Sequence, residues 1–451
     1  MRIHFIAIGG AIMHNMAIVL KRQGHTVSGS DDKIADPAKT NLEKEGLFPD
    51  SIGFFAERIT SDIDAIILGM HAHDDNSELK KAQELGLKIY SFPHFIYEIA
   101  KNKKRVVIAG SHGKTTITSM VMHVLKERGF SFDYLVGAAV KGFDTAVKLS
   151  DDAPIIVLEG DEYLASPLHK ESKFMFYEPH IALISGIAWD HINVFPVYEG
   201  YVNQFAKFAG TVSEDLVYYA GDEEIKKIVQ NYKGSAMLHA YKTPDYSVEN
   251  EQTIIHSEKN YALKIFGEHN LQNIEGARLV CESLGVAKDD FYTAIQTFEG
   301  AANRLQKLAE NKDTVIYKDF AHSPSKLSAT VKAARLQYAS RNIIAVMELH
   351  TYSSLNKDFL KEYHGSMNDA DVAVVYVDKE ALALKRMPPL DVELVKSSFG
   401  KEGLLVLQTR EELERFLHTL SYKNSALFLM TSGVFGGMDM GELTKKIING
   451  K

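Results

Sequence analysis

The chain has 451 residues, and length alone predicts about three domains rather than one core. Its 45% hydrophobic and 24% charged content is that of a folded globular protein, and a net charge of -8 argues against a nucleic-acid backbone binder while allowing a small anion in a local positive pocket. A single cysteine, Cys281, excludes an internal disulfide framework. The N-terminus MRIHFIAIGG lacks the parts of a signal peptide, and no uncharged apolar run reaches the roughly 18 residues of a membrane span, so a cytoplasmic location away from membranes is expected.

In chain order, residues 2–8 read as a buried strand, followed by Gly9, Gly10 and a helix over 12–23. A second strand covers 26–30 and ends in Asp31 and Asp32. This outline resembles a dinucleotide turn, with an acid about 20 residues on. Ala7 and Ile12, however, stand where its glycines are wanted, so NAD is disfavoured. A diphosphate on the helix N-terminus at Gly9 and Gly10 remains sound, as in a UDP group, with Ser30 and Asp31 toward the nucleoside. Strands at 63–69 and 88–92 flank a helix over 77–85. The HAHDDN cluster that begins at His71 is either a contact for a sugar nucleotide or an exposed turn. Lys101–Arg105 (KNKKR) reads as a solvated hinge. Strands at 106–109, 154–158 and 181–185 follow, then a boundary near Gly300. A third unit has strands at 314–317, 342–347, 372–377 and 426–430 and a helix over 324–337, while 211–265 is less legible. Alternating strands and helices predict an α/β protein with parallel sheets.

The strand at 106–109 runs into Gly110, Ser111, His112, Gly113, Lys114, Thr115 and Thr116, and a helix follows. Backbone N–H groups of such a turn cradle phosphate oxygens, Lys114 reaches the β- and γ-phosphates, and Thr115 offers a hydroxyl to Mg²⁺. Ile108 replaces the first glycine of the full pattern, and a plain helix-capping turn is the alternative. Glu159, Asp161 and Glu162 follow the next strand; their mutual repulsion calls for a cation or for solvation in an exposed turn. His191 follows a third strand and is a metal or phosphate contact or a structural histidine. Asn270 and Asn273 open a helix and suit a purine edge or a capping role. Arg304 can neutralise phosphoryl charge and Asp319 can accept ribose hydroxyls, or either can sit in a surface ion pair.

Taken in order, GSHGKTT, DEYLASP, WDHINVFP, GEHNLQN, NRLQ, DFAHSP and TSGVFGG resemble the Mur ligase family of peptidoglycan synthesis along essentially the whole chain. The resemblance implies three domains: a Rossmann-like one for a UDP-muramoyl substrate (1–104), a P-loop one for ATP (105–300) and a Rossmann-like one for the amino-acid or peptide acceptor (301–451). It implies Mg²⁺ and ATP as cofactors and a monomer or weak homodimer. Thr115, Glu162 and His191 would meet the metal, Asn270 and Asn273 adenine, Asp319 the ribose and Arg304 the γ-phosphate. Lys114, His191, Arg304 and His322 would serve the reacting centre, where an acyl phosphate forms on the muramoyl carboxylate and the acceptor amine attacks it. Within the family the likeness is to ligases that add the tripeptide L-Ala-γ-D-Glu-meso-diaminopimelate to UDP-N-acetylmuramate, and next to those that add L-alanine. The third-domain motif is reduced to KDFAHSP, and Glu348–Tyr352 is the expected place of acceptor specificity. A sheltered reaction with hinges near Arg105 and Gly300 is expected.

Overall fold

The structure, a computed structural model, describes residues 1–70, 72–138, 140–189 and 194–449; His71 and His191 lie outside the described residues. Short apolar runs punctuated by glycine turns build three α/β domains. In the first, β1 (Arg2–Ile6), α1 (Ala11–Arg22), β2 (Thr26–Ser30), α2 (Ala38–Lys44), β3 (Ala65–Leu68), α3 (Ser77–Glu84), β4 (Ile89–Ser91) and α4 (Phe92–Ala100) alternate. Their sheet is parallel, in the order β2-β1-β3-β4. Ala7, where the sequence wanted glycine, has a left-handed φ of +67°. Its N–H and that of Ile8 both donate to Ser30 O, which locks the turn to the end of β2.

The second domain carries β5 (Lys104–Ala109), α5 (Lys114–Glu127), β6 (Phe132–Leu135), β7 (Val147–Lys148), β8 (Ile155–Glu159), β9 (Ile181–Ile184), α6 (Tyr198–Gly210), β10 (Asp215–Tyr219), α7 (Glu223–Gln230) and β11 (Met237–Tyr241). The strands form a seven-stranded sheet in the order β11-β10-β9-β5-β8-β6-β7, parallel except at β7. The stretch that was hard to read also holds β12 (Tyr246–Glu249), β13 (Gln252–His256) and β14 (Asn260–Leu263), an antiparallel three-stranded sheet. After α8 (Glu268–Ser283) and α9 (Lys288–Ile295), the third domain has β15 (Gln306–Glu310), β16 (Thr314–Asp319), α10 (Pro324–Gln337), β17 (Asn342–Leu349), β18 (Val372–Val377), β19 (Leu405–Leu407) and β20 (Ser425–Met430). Its six-stranded sheet runs β15-β16-β20-β17-β18-β19 and is parallel except at β15. By compactness the chain divides into Met1–Lys242 with Gln272–Ile295, and Thr243–Leu271 with Gln296–Lys451.

The expected hinge at Lys101–Arg105 is overturned by burial. Lys103 and Arg105 are each only 8% exposed. Arg105 Nε donates to the carbonyls of Tyr177 at 2.9 Å and Glu178 at 3.0 Å, and Nη1 donates to those of Ala100 at 3.2 Å and Lys101 at 2.9 Å. Carbonyls at the end of α4 have no partner within the helix, and this guanidinium satisfies them. Lys103 Nζ donates to Ser150 O at 2.6 Å and Ala153 O at 2.8 Å and pairs with Asp133 at 3.0 Å. One apolar cluster joins Ile3 and Phe5 of β1 to Val107 and Ala109 of β5. The first two domains are therefore pinned together.

Replacing Arg105 by Met keeps much of the packing and strands several buried carbonyls. A loss of about 3 kcal/mol is expected in urea unfolding, and an unchanged midpoint would contradict the clamp.

Candidate active site

Strand β5 lies between β8 and β9, with Ile108 opposite Glu159 and Ala109 opposite Ile184, so three strand ends converge on one edge. The turn that leaves β5 needs two glycines. Gly110 has φ +129° and Gly113 has φ +78°. A Cβ on Gly110 would lie 2.9 Å from Ser185 N, and one on Gly113 would lie 2.5 Å from Asn273 Oδ1. Ser111 N donates to Gly186 O at 2.9 Å, and Ser185 Oγ donates to His112 O, so the loop is stitched to the end of β9. Helix α5 starts at Lys114, which places Lys114, Thr115 and Thr116 in its first turn. Gly113 at the N-cap has no side chain to cap this turn, and the turn itself holds no acid. Its N–H groups and the positive end of the helix dipole are left for an anion.

Lys114 Nζ lies 2.7 Å from Glu162 Oε2 and donates to Gly110 O at 2.7 Å. Burial alone would lower the pKa of this ammonium, but Glu162 foremost, with Asp161 and Glu159, outweighs burial and holds it above the ordinary lysine value. Thr115 Oγ1 donates to Glu159 Oε1 at 2.8 Å, and Gly137 N donates to Glu159 Oε2 at 2.6 Å. Lys173 Nζ lies 2.6 Å from Asp161 Oδ2. Burial pushes the Asp161 carboxyl up, but Lys173 first and then Lys114 bring it below the usual carboxylate range. Two lysines thus supply counter-charge to the acidic cluster, whose repulsion calls for a cation or for solvation. Among the described residues no group of three or more His, Cys, Asp or Glu is arranged to hold a metal ion.

In the first domain, Gly9 N donates to Asp31 Oδ2 at 2.7 Å, and Asp32 N donates to Asp31 Oδ1 at 2.9 Å. Burial raises the Asp31 carboxyl's pKa despite these bonds. Ser30 is fully buried: its hydroxyl donates to Glu78 Oε1 at 2.6 Å and accepts from Arg58 Nη1 at 2.7 Å. That corrects the expectation of a nucleoside contact by Ser30, since Glu78 holds its hydroxyl inside the fold. Gly10 is the N-cap of α1, whose first turn again has no side-chain cap and no acid.

The remaining candidates belong to the second compact unit. Asn303 and Leu305, on either side of Arg304, have left-handed φ values of +58° and +42°. Asp319 anchors this strained turn: its Oδ1 accepts from Leu305 N at 3.0 Å and Phe320 N at 2.9 Å, and its Oδ2 accepts from Thr330 Oγ1 at 2.6 Å. The Arg304 guanidinium packs 4.3 Å from the centre of the Phe320 ring. His322 Nδ1 donates to Phe320 O at 2.8 Å. Asn270 Nδ2 donates to Phe266 O at 2.9 Å. In the expected specificity segment Glu348 is buried and accepts from Phe435 N at 3.0 Å, while Tyr352 is exposed.

Sequence reasoning missed Ser185, Lys173 and Tyr201. Tyr201 shares a helical stripe with Phe205 and Phe208 and reads as core, yet its hydroxyl reaches Ser111.

Three models of one family match consecutive parts of the chain: Mur ligase family, catalytic domain, over residues 2–104; Mur ligase middle domain over 108–281; and Mur ligase, glutamate ligase domain over 303–433. The UDP-N-acetylmuramate--L-alanine ligase of Clostridium kluyveri is 30% identical over 389 residues, covering 83% of this chain and 82% of that protein. A murein peptide ligase from Psychrobacter arcticus aligns at a TM-score of 0.67 with 22% identity, covering 100% of this chain and 99% of that one. A UDP-N-acetylmuramate-alanine ligase from Thermotoga maritima aligns at 0.73 with 21% identity, covering 100% and 98%. The chain belongs to the Mur ligase family. It is an ATP-dependent amide ligase that forms a C–N bond.

Gly110→Ala combines an unfavourable φ with a Cβ driven into backbone. A loss of about 3 kcal/mol or more is expected in urea unfolding. A variant as stable as the parent would contradict the loop geometry.

Proposed function

We propose that this ligase joins the lactyl carboxylate of UDP-N-acetylmuramate to the α-amine of an L-alanyl acceptor, with Mg·ATP as the energy source, in the cytoplasm. The observation that carries the reading is Lys114, a cation held by Glu162 and Gly110 O at the uncapped start of α5. Such a site suits an anion that competes with a carboxylate for the same ammonium.

The residues fit the nucleotide and its metal. The Thr115 hydroxyl and the Glu162 carboxylate are hard oxygen donors of the kind Mg²⁺ takes, and His191 joins them in this proposal. The Gly110–Thr116 turn offers backbone N–H groups to phosphate. When bound, ATP supplies the phosphoryl group that turns the carboxylate into an acyl phosphate. In this proposal Lys114 would neutralise charge on the transferring group, and Arg304 and His322 keep the roles that the family resemblance implies. Asn270 and Asn273 would meet adenine and Asp319 the ribose. Gly9 and Gly10, at the open start of α1, would receive the diphosphate of the UDP substrate, with Asp31 holding the turn, and His71 is a proposed contact of the sugar nucleotide.

L-Alanine and the tripeptide L-Ala-γ-D-Glu-meso-diaminopimelate present the same reacting amine and differ only beyond the alanine carbonyl. The tripeptide is supported by the DEYLASP stretch, and the likeness in fold extends to a murein peptide ligase and to an alanine ligase alike. Free L-alanine is the second reading, and the comparisons favour it: curated relatives at 28% to 31% identity carry the name of L-alanine ligase.

Phosphate release with Mg·ATP and UDP-N-acetylmuramate decides between them. Turnover with the tripeptide and at least about 100-fold less with L-alanine is expected of the first reading, and the reverse of the second. Silence with both acceptors would refute the proposed substrates.

A further inference from the structure

Tyr201 is fully buried on α6, with the rings of Phe195 and Phe205 edge-on at 5.5 and 5.3 Å. A phenol in such a setting needs partners for its hydroxyl. It has Ser111 Oγ at 2.7 Å and Glu162 Oε1 at 3.2 Å. Elementary chemistry fixes the direction of the chain. Glu162 is ion-paired to Lys114 through Oε2 and, ionised, only accepts. Tyr201 therefore gives its one proton to Glu162 and accepts from Ser111. Ser111 Oγ in turn accepts from Ala188 N at 2.9 Å. The order is Ala188 N–H, Ser111 O–H, Tyr201 O–H, Glu162 carboxylate.

We infer that Tyr201 is a positioning residue that couples the phosphate loop to the carboxylate at the end of β8, and so sets the affinity for nucleotide bound with a divalent cation. The inference rests on the ATP reading above. Tyr201 holds one oxygen of Glu162 while Lys114 holds the other, so the carboxylate is kept in one rotamer. The same hydroxyl fixes the side chain of Ser111, the first residue after Gly110. Nothing in this role requires Tyr201 to touch nucleotide. The chain draws on α6, the loop after β5, the loop after β9 and the end of β8, and a packed hydrogen-bonded network of this kind acts as a unit.

Calorimetric titration of a non-hydrolysable ATP analogue tests it, with excess Mg²⁺ and again with EDTA. Tyr201→Phe removes only the hydroxyl. About tenfold weaker binding is expected with Mg²⁺, against about twofold or less in EDTA, with the ligand-free melting temperature near that of the parent. Ser111→Ala breaks the same chain from the other end and serves if Tyr201→Phe fails to fold. The double variant is expected to bind no more weakly than the worse single one, because both cut one chain. Equal Mg²⁺-dependent affinity in Tyr201→Phe and parent, or additive losses in the double variant, would overturn the inference alone. A parent that does not bind the analogue would overturn the ATP reading and this inference with it.

Discussion

A lysine ammonium sheltered at the mouth of a parallel sheet is costly unless its charge is met, and much else in the central domain depends on how Lys114 is met. Desolvation pulls against the charged form, and only the nearby carboxylates reverse that. Glu162 must reach Lys114, so β8 must end beside β5, and the register that sets Ile108 opposite Glu159 provides this. Gly110 O must also reach Lys114, so the loop must fold back over the start of α5, and that demands the positive φ of Gly110 and Gly113. The arrangement is stable without nucleotide because a carboxylate and a carbonyl stand where phosphate oxygens are proposed to lie. It is also responsive, because both are weaker partners for lysine than a polyphosphate.

The same logic of meeting charge recurs beyond the loop. Lys173 answers Asp161, and Arg105 answers backbone carbonyls at the end of α4 and in the turn at 177–178. The second of these has a mechanical consequence. With Arg105 and Lys103 buried, and with β1 and β5 sharing one apolar cluster, the junction at 101–105 is a clamp and not a linker.

The fold was largely legible because its strands are short apolar runs bounded by glycine and polar clusters. GSHGKTT was legible because a strand, a glycine turn and a helix stand in the order that phosphate binding requires. What could not be read depended on partners distant in sequence. KNKKR has the composition of a solvated run, and only the carbonyls of Tyr177 and Glu178 make Arg105 an internal residue. Ser30 looks free beside Asp31 until Glu78 takes its hydroxyl. The acids at 159–162 show no sequence sign that Lys173 stands beside Asp161 and Lys114 beside Glu162. Tyr201 has the spacing of a core residue, and its polar end carries no sequence signal. The antiparallel sheet at 246–263 was missed because its strands are short and their apolar residues, Ile254 with Ile255 and Tyr261 to Leu263, run together, so the alternation in burial is not mirrored in residue type.

In the proposed reaction the carboxylate of the muramoyl substrate receives the phosphoryl group, with Lys114 and its loop serving that transfer. Labelling that carboxylate with ¹⁸O tests this most directly. Transfer of one ¹⁸O atom into each phosphate released, read by mass spectrometry, is the predicted result. Released phosphate free of label, with the amide still formed, would mean that the carboxylate is activated by another route, and would contradict the proposal.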